Sequence, residues 1–239
     1  MTKSSRAALA LGLAVLAAPA PAAAFCRTST CGAQGTSQVC TPAGPGDCGK
    51  PLFWPSPPCI GYWLQKDASR EVSLDAARQV FDEAFATWAG ADCGGGAHPS
   101  LVVKDAGTVA CHTQEYNESA GNANVIMFDD DTWPYEGSSN TLALTTVTYD
   151  VDTGEIYDAD MELNSAQVQF TTGDTGIEFD LPSIAQHETG HFLGLAHSQL
   201  SDATMFATYK QGDTSLRTLA ADDVAAICAV YPPGTVIDP

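Results

Sequence analysis

Three histidines and one glutamate lie within the stretch H-E-T-G-H-F-L-G-L-A-H, which spans residues 187–197. Residues four apart share one face of a helix, so His187 and His191 can direct their imidazoles at one ion. Gly194 can adopt the left-handed conformation that ends a helix, and the reversed chain can then supply His197 as a third ligand. Three protein ligands leave one position of a tetrahedral zinc ion open to water, as in catalytic sites. We therefore predict one catalytic Zn²⁺ bound by these histidines.

Glu188 follows the first histidine directly. From that position a carboxylate can reach a metal-bound water without occupying the metal itself. The alternative interpretation is a helix whose histidines are ordinary polar surface groups, but the spacing of five fixed positions favours the metal site. Glu188 is therefore the predicted catalytic residue.

The spacing H-E-x-x-H-x-x-G-x-x-H resembles the metzincin signature, and Ser198 after the third histidine resembles the matrixin branch. Met205 stands at the distance from His197 at which that family has its Met-turn. The run from Leu219 to Ile227, which contains Asp222 and Asp223, resembles the family's C-terminal helix. The resemblance covers roughly residues 50–232 and is most specific over 187–205.

The resemblance implies an α+β catalytic domain. Its twisted mixed sheet and two helices lie above a zinc cleft, and a small C-terminal subdomain carries one helix. It also implies a secreted zinc-dependent endopeptidase that acts on protein or peptide substrates. Zinc would lower the pKa of a bound water and polarise the scissile carbonyl, while Glu188 would accept the water proton and deliver it to the leaving amine. Met205 would form an apolar floor under the histidines, although ordinary core packing explains it equally.

Two other functions are compatible with these residues. One is an exported, zinc-stabilised binding protein that keeps the metzincin fold without turnover, and the other is a zinc hydrolase of non-peptide substrates. An intact Glu188 argues against the binding protein, which has no physical need for a base. Matrixin-like spacing favours peptides over other substrates.

The elements around the motif follow from apolar periodicity. A helix is expected from Ser73 to about Trp88, a second begins after Asp180 with Pro182 in its first turn, and a third runs from about Leu219 to Val230. This order of elements indicates an α+β domain built on one mixed sheet. Strands are predicted at Ile60–Leu64, Leu101–Lys104, Asn124–Phe128, Leu142–Thr148 and Ile156–Leu163.

The N-terminus has the features of an export signal. Lys3 and Arg6 precede an apolar run, and Ala22 and Ala24 occupy the positions that a signal peptidase prefers. A lipid anchor is disfavoured because Phe25 is bulky. We predict a signal peptide at 1–24, a Cys-rich disulfide-stapled extension at 25–50 and a catalytic domain at 51–239, in a secreted protein with the periplasm as the alternative location.

Charge excludes several classes of partner. The formal net charge is −19, and removing Lys3 and Arg6 leaves 8 basic residues against 29 acidic ones, a net charge of −21. Such a chain repels nucleic acid and anionic membranes. We expect a monomer that binds neither nucleic acid nor, after signal cleavage, a membrane.

All eight cysteines follow the predicted cleavage site. An even number in an exported chain implies disulfides rather than thiol chemistry, and the sequence does not define their pairing. Cys48, which precedes Gly49, resembles the Cys-Gly core of the matrixin latency switch. The neighbouring arginine of that motif is missing, so an ordinary disulfide is favoured.

The segment in which matrixins carry a second metal site is acidic in this sequence. Matrixins usually carry a structural zinc with further histidines, but residues 142–164 contain none. Acidic side chains there could bind structural Ca²⁺ through oxygen, or be solvated turn residues. The run Asp129–Asp131 is a second acidic candidate, for which a turn is preferred. The calcium candidates are Asp150, Asp152, Asp158, Asp160 and Glu162.

Overall fold

The computed structural model describes residues 28–29, 50–55, 58–135 and 140–234. The predicted signal peptide and nearly all of the Cys-rich extension, including Cys48, lie outside the described residues. Within the described ranges, no helix is long and apolar enough to cross a membrane.

One mixed five-stranded sheet forms the frame of the domain, as predicted. The spatial order is β2-β1-β3-β5-β4, and every neighbouring pair is parallel except β4, which runs antiparallel to β5. β4 therefore forms one edge of the sheet. The strands are β1 Cys59–Gln65, β2 Val102–Val109, β3 Val125–Phe128, β4 Ala143–Tyr149 and β5 Ile156–Leu163.

Three α-helices complete the fold: α1 Leu74–Ala89, α2 Leu181–Phe192 and α3 Ala221–Val230. The predicted caps of the first two helices are confirmed. The Ser73 hydroxyl accepts from the Ala76 N–H at 3.2 Å, and the Asp180 carboxylate accepts from the Ser183 N–H at 3.0 Å. The α+β class is confirmed.

α3 begins later than Leu219, where periodicity placed its start. The Asp223 carboxylate accepts the Ala220 N–H at 2.8 Å, so the backbone turns into the helix only after Ala220. A short parallel pair, β6 Phe170–Thr171 and β7 Phe179–Asp180, was not predicted. Strands of two residues have no alternation for a sequence to reveal.

Aromatic packing joins α1, α2 and the sheet. The Phe85 ring lies 4.9 Å from the Tyr62 ring and 5.1 Å from the Phe192 ring, between centroids. The buried Trp88 indole N–H donates to the Gln186 carbonyl at 2.9 Å. The helix that carries the histidine motif is therefore held by α1 as well as by the sheet.

A disulfide joins Cys93, after α1, to Cys228 in α3 across a sequence separation of 135 residues. Cys59 and Cys111 are free thiols. Cys59 begins β1, and Cys111 follows the far end of the parallel strand β2, so they lie at opposite ends of this strand pair. Although the even number of cysteines suggested disulfides, not all eight cysteines are paired.

Candidate metal centre and cleft

The end of α2 turns the chain back beneath the helix. Gly194 has φ +90°, and a Cβ there would lie 2.8 Å from the Leu52 carbonyl oxygen. Only glycine combines this left-handed conformation with such a close backbone approach. The reversal brings His197 next to the two histidines of α2, as the sequence predicts.

The three imidazoles converge through their Nε2 atoms. The Nε2 of His191 lies 3.1 Å from that of His187 and 3.1 Å from that of His197. Two nitrogens bound to one tetrahedral zinc at about 2.0–2.1 Å lie roughly 3.3 Å apart, so this spacing fits one ion. Among the described residues, this triad is the only group of three or more metal-binding side chains close enough to share an ion.

Backbone carbonyls orient two of the rings. The Nδ1 of His187 lies 2.7 Å from the Thr204 carbonyl, and that of His191 lies 2.8 Å from the Leu195 carbonyl. A proton on Nδ1 leaves the Nε2 lone pair free for a metal. Burial lowers the pKa of all three imidazoles to about 4, so each ring is neutral at pH 7 and can act as a ligand.

Glu188 lies beside this triad and is only 7% exposed. Burial raises the pKa of its carboxyl above the ordinary value. Its Oε2 accepts a hydrogen bond of 2.7 Å from the Thr145 hydroxyl on β4. Sequence reasoning did not single out Thr145, because a threonine on a predicted strand looks like any other β-branched residue.

Met205 packs directly against α2 at the level of the histidines. A Cβ on Gly190 would lie 2.2 Å from the Met205 sulfur and 2.9 Å from Trp88 Cζ2. Met205 is buried, and its amide N–H donates to Asp223 at 3.1 Å. Met205 is therefore a core residue between α2 and the start of α3, as one of the two interpretations from the sequence has it.

Both acids at the start of α3 bind the chain around the site. Asp223 accepts the Thr204 N–H at 2.7 Å, and Asp222 accepts the Ser198 hydroxyl at 2.6 Å. Asp223 also accepts the Ala220 N–H and so caps α3, but both carboxylates bind chain segments outside the helix as well. The Thr204 carbonyl contacts the His187 ring, so Asp223 supports this candidate ligand indirectly, by holding Thr204.

An open cleft of about 1120 Å³ contains the triad and Glu188. Its walls include β4, α2 and the segment that follows Met205. Tyr209, to which the sequence assigned no role, lines this cleft. Its hydroxyl accepts the Asp180 N–H and donates to the Asp213 carbonyl, both at 2.9 Å. The tyrosine thus fastens the segment after Met205 to the start of α2.

Two of the candidate calcium ligands, Asp150 and Asp158, differ in their surroundings. Asp150 accepts the Asp152 N–H at 2.9 Å and the Thr153 N–H at 2.8 Å, so it shapes the β4–β5 turn. Asp158 is fully buried in β5, and neither of its carboxylate oxygens has a hydrogen-bond partner. Burial, with Asp160 nearby, raises the pKa of Asp158 to about 7.

Two further candidates, Asp160 and Glu162, accept hydrogen bonds from the protein. Asp160 accepts the Val125 N–H at 2.8 Å, and Glu162 accepts from the Tyr135 hydroxyl. Asp130, the middle residue of the Asp129–Asp131 run, accepts the Ser69 hydroxyl at 2.8 Å and the Arg70 N–H at 2.7 Å. Asp130 thus fastens the turn before α1, whereas Asp129 is buried and its Oδ2 has no hydrogen-bond partner, which the turn interpretation does not explain.

A mixed sheet, a helix that ends in a reversed chain, three convergent imidazoles and a buried methionine packed against that helix define a metzincin-type protein. A family described as Matrixin matches residues 103–232, more than half of the 239-residue chain. The chain belongs to the matrixin family, which at family level is one of zinc metalloendopeptidases.

Individual relatives agree with this assignment. Matrix metalloproteinase-20 of Homo sapiens is 36% identical over 123 residues, which are 49% of this chain and 24% of that protein. Matrilysin of Homo sapiens is 35% identical over 102 residues, 42% of this chain and 35% of that protein. Metalloendoproteinase 4-MMP of Arabidopsis thaliana is 27% identical over 157 residues, 64% of this chain and 40% of that protein. The chain thus covers well under half the length of each.

Proposed function

We propose that this protein is a secreted zinc-dependent endopeptidase with one catalytic Zn²⁺ held by His187, His191 and His197. The observation that carries the proposal is the convergence of three neutral Nε2 atoms beside Glu188 in an open cleft. Three ligands and an open fourth position are the arrangement of catalytic zinc. The proposed domain runs from residue 51 to 239 and acts as a monomer.

Bound zinc supplies Lewis acidity, which makes a water nucleophilic at neutral pH and polarises a carbonyl. The protein supplies the proton transfers. Glu188 accepts the proton of the attacking water and delivers it to the leaving amine. Burial favours the protonated carboxyl that the second transfer requires, and the Thr145 hydrogen bond favours the carboxylate that the first one requires.

The cleft points to an extended polypeptide as substrate. β4 is an edge strand of the sheet and lines the cleft along much of its length, so its free edge can pair with a substrate backbone. Apolar side chains from several elements line the cleft wall and offer a place for an apolar substrate side chain. They are Leu142, Val168, Phe179, Ile184 and Leu216.

Metal dependence tests this proposal. We expect the mature protein to cleave casein, to lose this activity on removal of zinc by a chelator, and to regain it with one equivalent of Zn²⁺. A matched pair of variants assigns the effect to the site. His197→Ala removes a ligand and should abolish activity, while His98→Ala, whose ring contacts the Ala91 carbonyl instead, should retain it. A protein that binds zinc and cleaves nothing would instead be the zinc-stabilised binding protein.

We also propose a structural Ca²⁺ beside Asp158. A buried carboxylate without hydrogen bonds is costly unless a cation or a proton neutralises it. Calcium takes carboxylate and carbonyl oxygens as ligands, and an exported protein meets it at the millimolar concentrations that such sites require.

Calcium should therefore raise the melting temperature of the zinc-loaded protein. At about 100 times the dissociation constant the expected gain is about 2.7 kcal/mol, or roughly 5–10 °C. Asp158→Asn should remove this response, because the amide supplies no charge. Asp152→Asn, on the exposed turn, should keep it. Equal calcium responses in the two variants, or none in the wild type, would exclude calcium at Asp158.

A further inference from the structure

Thr145 makes the shortest contact to the Glu188 carboxylate in the cleft. Its hydroxyl donates to Glu188 Oε2 at 2.7 Å and lies 3.3 Å from the Glu188 carbonyl oxygen. A hydroxyl has one proton, and the charged carboxylate at the shorter distance is the better acceptor. β4 therefore supplies a hydrogen-bond donor to Glu188, the proposed general base.

This contact fixes an otherwise soft torsion. The terminal torsion of a glutamate is broad, so a carboxylate held only by its stem samples many orientations. With Oε2 bound to Thr145, the plane of the carboxylate is set and Oε1 is left free. The strand position is itself rigid, because Thr145 pairs with Met161 in the centre of the β4–β5 ladder.

We propose that Thr145 is a positioning residue, which holds Glu188 Oε2 so that Oε1 faces the attacking water. The inference rests on the proposed function, since it assigns Thr145 a role through Glu188. Because the Thr145 hydroxyl gives its one proton to Glu188, it has none to donate to the water or the peptide. Its loss should therefore lower kcat and leave KM nearly unchanged.

Thr145→Val tests this, because valine keeps the shape and removes the hydroxyl. We expect kcat to fall roughly 10- to 100-fold, as for other groups that orient a catalytic side chain, with an unchanged zinc dissociation constant. Thr145→Ser should restore most of kcat. Thr146→Val is the matched control, because its side chain lies on the opposite face of β4 and does not line the cleft.

A double-mutant cycle separates positioning from a general structural effect. In a Glu188→Ala background, Thr145→Val should cause no further loss, because there is no carboxylate left to orient. A zinc-binding peptide hydroxamate, which donates a hydrogen bond to the neighbouring carboxylate, provides a readout without turnover. Its affinity should fall in Thr145→Val and not in Thr146→Val.

The outcomes distinguish this inference from the proposed function. A wild type that cleaves casein, with Thr145→Val and Thr146→Val equal in kcat, overturns the role of Thr145 and leaves the peptidase intact. Losses that simply add in the double mutant also overturn it. A wild type that neither cleaves nor binds the hydroxamate overturns both.

Discussion

Replacing Glu188 with glutamine should abolish peptide hydrolysis while leaving zinc bound. The amide cannot accept a proton from water, and general acid–base catalysis of this kind contributes about 10²- to 10⁴-fold. Zinc should remain because the three Nε2 atoms that converge on the site all belong to histidines. The measurement is kcat on a fluorogenic peptide, with the zinc content of each preparation determined beside it.

Glu71→Gln is the control, since this exposed glutamate lies before α1 and outside the cleft. It should match the wild type in both activity and zinc content. If Glu188→Gln kept a tenth or more of the wild-type kcat with full zinc, Glu188 would not be the base. If it lost zinc, the carboxylate would be part of the metal site rather than of the proton transfer.

Gly190→Ala should destabilise the protein, although alanine is the better helix former by about 1 kcal/mol. The new Cβ would lie 2.2 Å from the Met205 sulfur, with the Trp88 ring on another side. The side chains of Met205 and Trp88 are both buried in the core, so neither has free space into which it can withdraw. We expect a loss of about 2–3 kcal/mol in the free energy of unfolding, the usual cost of overpacking.

The same substitution should weaken zinc binding. A displacement of the Met205 backbone moves the adjacent Thr204, whose carbonyl orients the His187 ring. Urea unfolding at saturating zinc and competition with a chelator measure the two effects separately. Gly173→Ala is the matched control, because its new Cβ meets no atom within 4 Å. Its unfolding free energy should stay within about 0.5 kcal/mol of the wild type, and equal stabilities for the two variants would contradict the packing described.

The sequence predicted the convergence of the three histidines and the positions of the helices, because both have short-range signals. His187 and His191 are related by helical spacing, and Asp180 and Ser73 are helix caps that act within a single turn. The left-handed Gly194 was predictable for the same reason. These features depend on neighbours in the chain, and so they can be recognised without the fold.

Contacts between distant segments could not be predicted. Thr145 and Glu188 are 43 residues apart, and their hydrogen bond exists only because β4 is the edge strand beside α2. Tyr209 reaches Asp180 across 29 residues. Cys59 and Cys111 do not pair with each other for a similar reason, because the parallel pairing of β1 and β2 places them at opposite ends of the strand pair. A cysteine count contains no information on that geometry.

The acidic segment shows a mixed result. Five carboxylates looked equivalent in the sequence, but two of them lie at the β4–β5 turn and three lie on one face of β5. Asp150 binds backbone N–H groups in the turn, whereas Asp158 is buried in β5 without a partner. Only burial, which depends on what covers the sheet, separates a calcium candidate from a solvated turn residue.

X-ray absorption spectroscopy at the zinc edge on the zinc-loaded mature protein tests the proposed metal site directly. The spectrum should show three imidazole nitrogens at about 2.0–2.1 Å and one oxygen from water, with no sulfur scatterer. A sulfur at about 2.3 Å would contradict the open position and identify a cysteine, with Cys48 the first to examine, as a ligand. Fewer than three imidazoles would contradict the assignment of His187, His191 and His197.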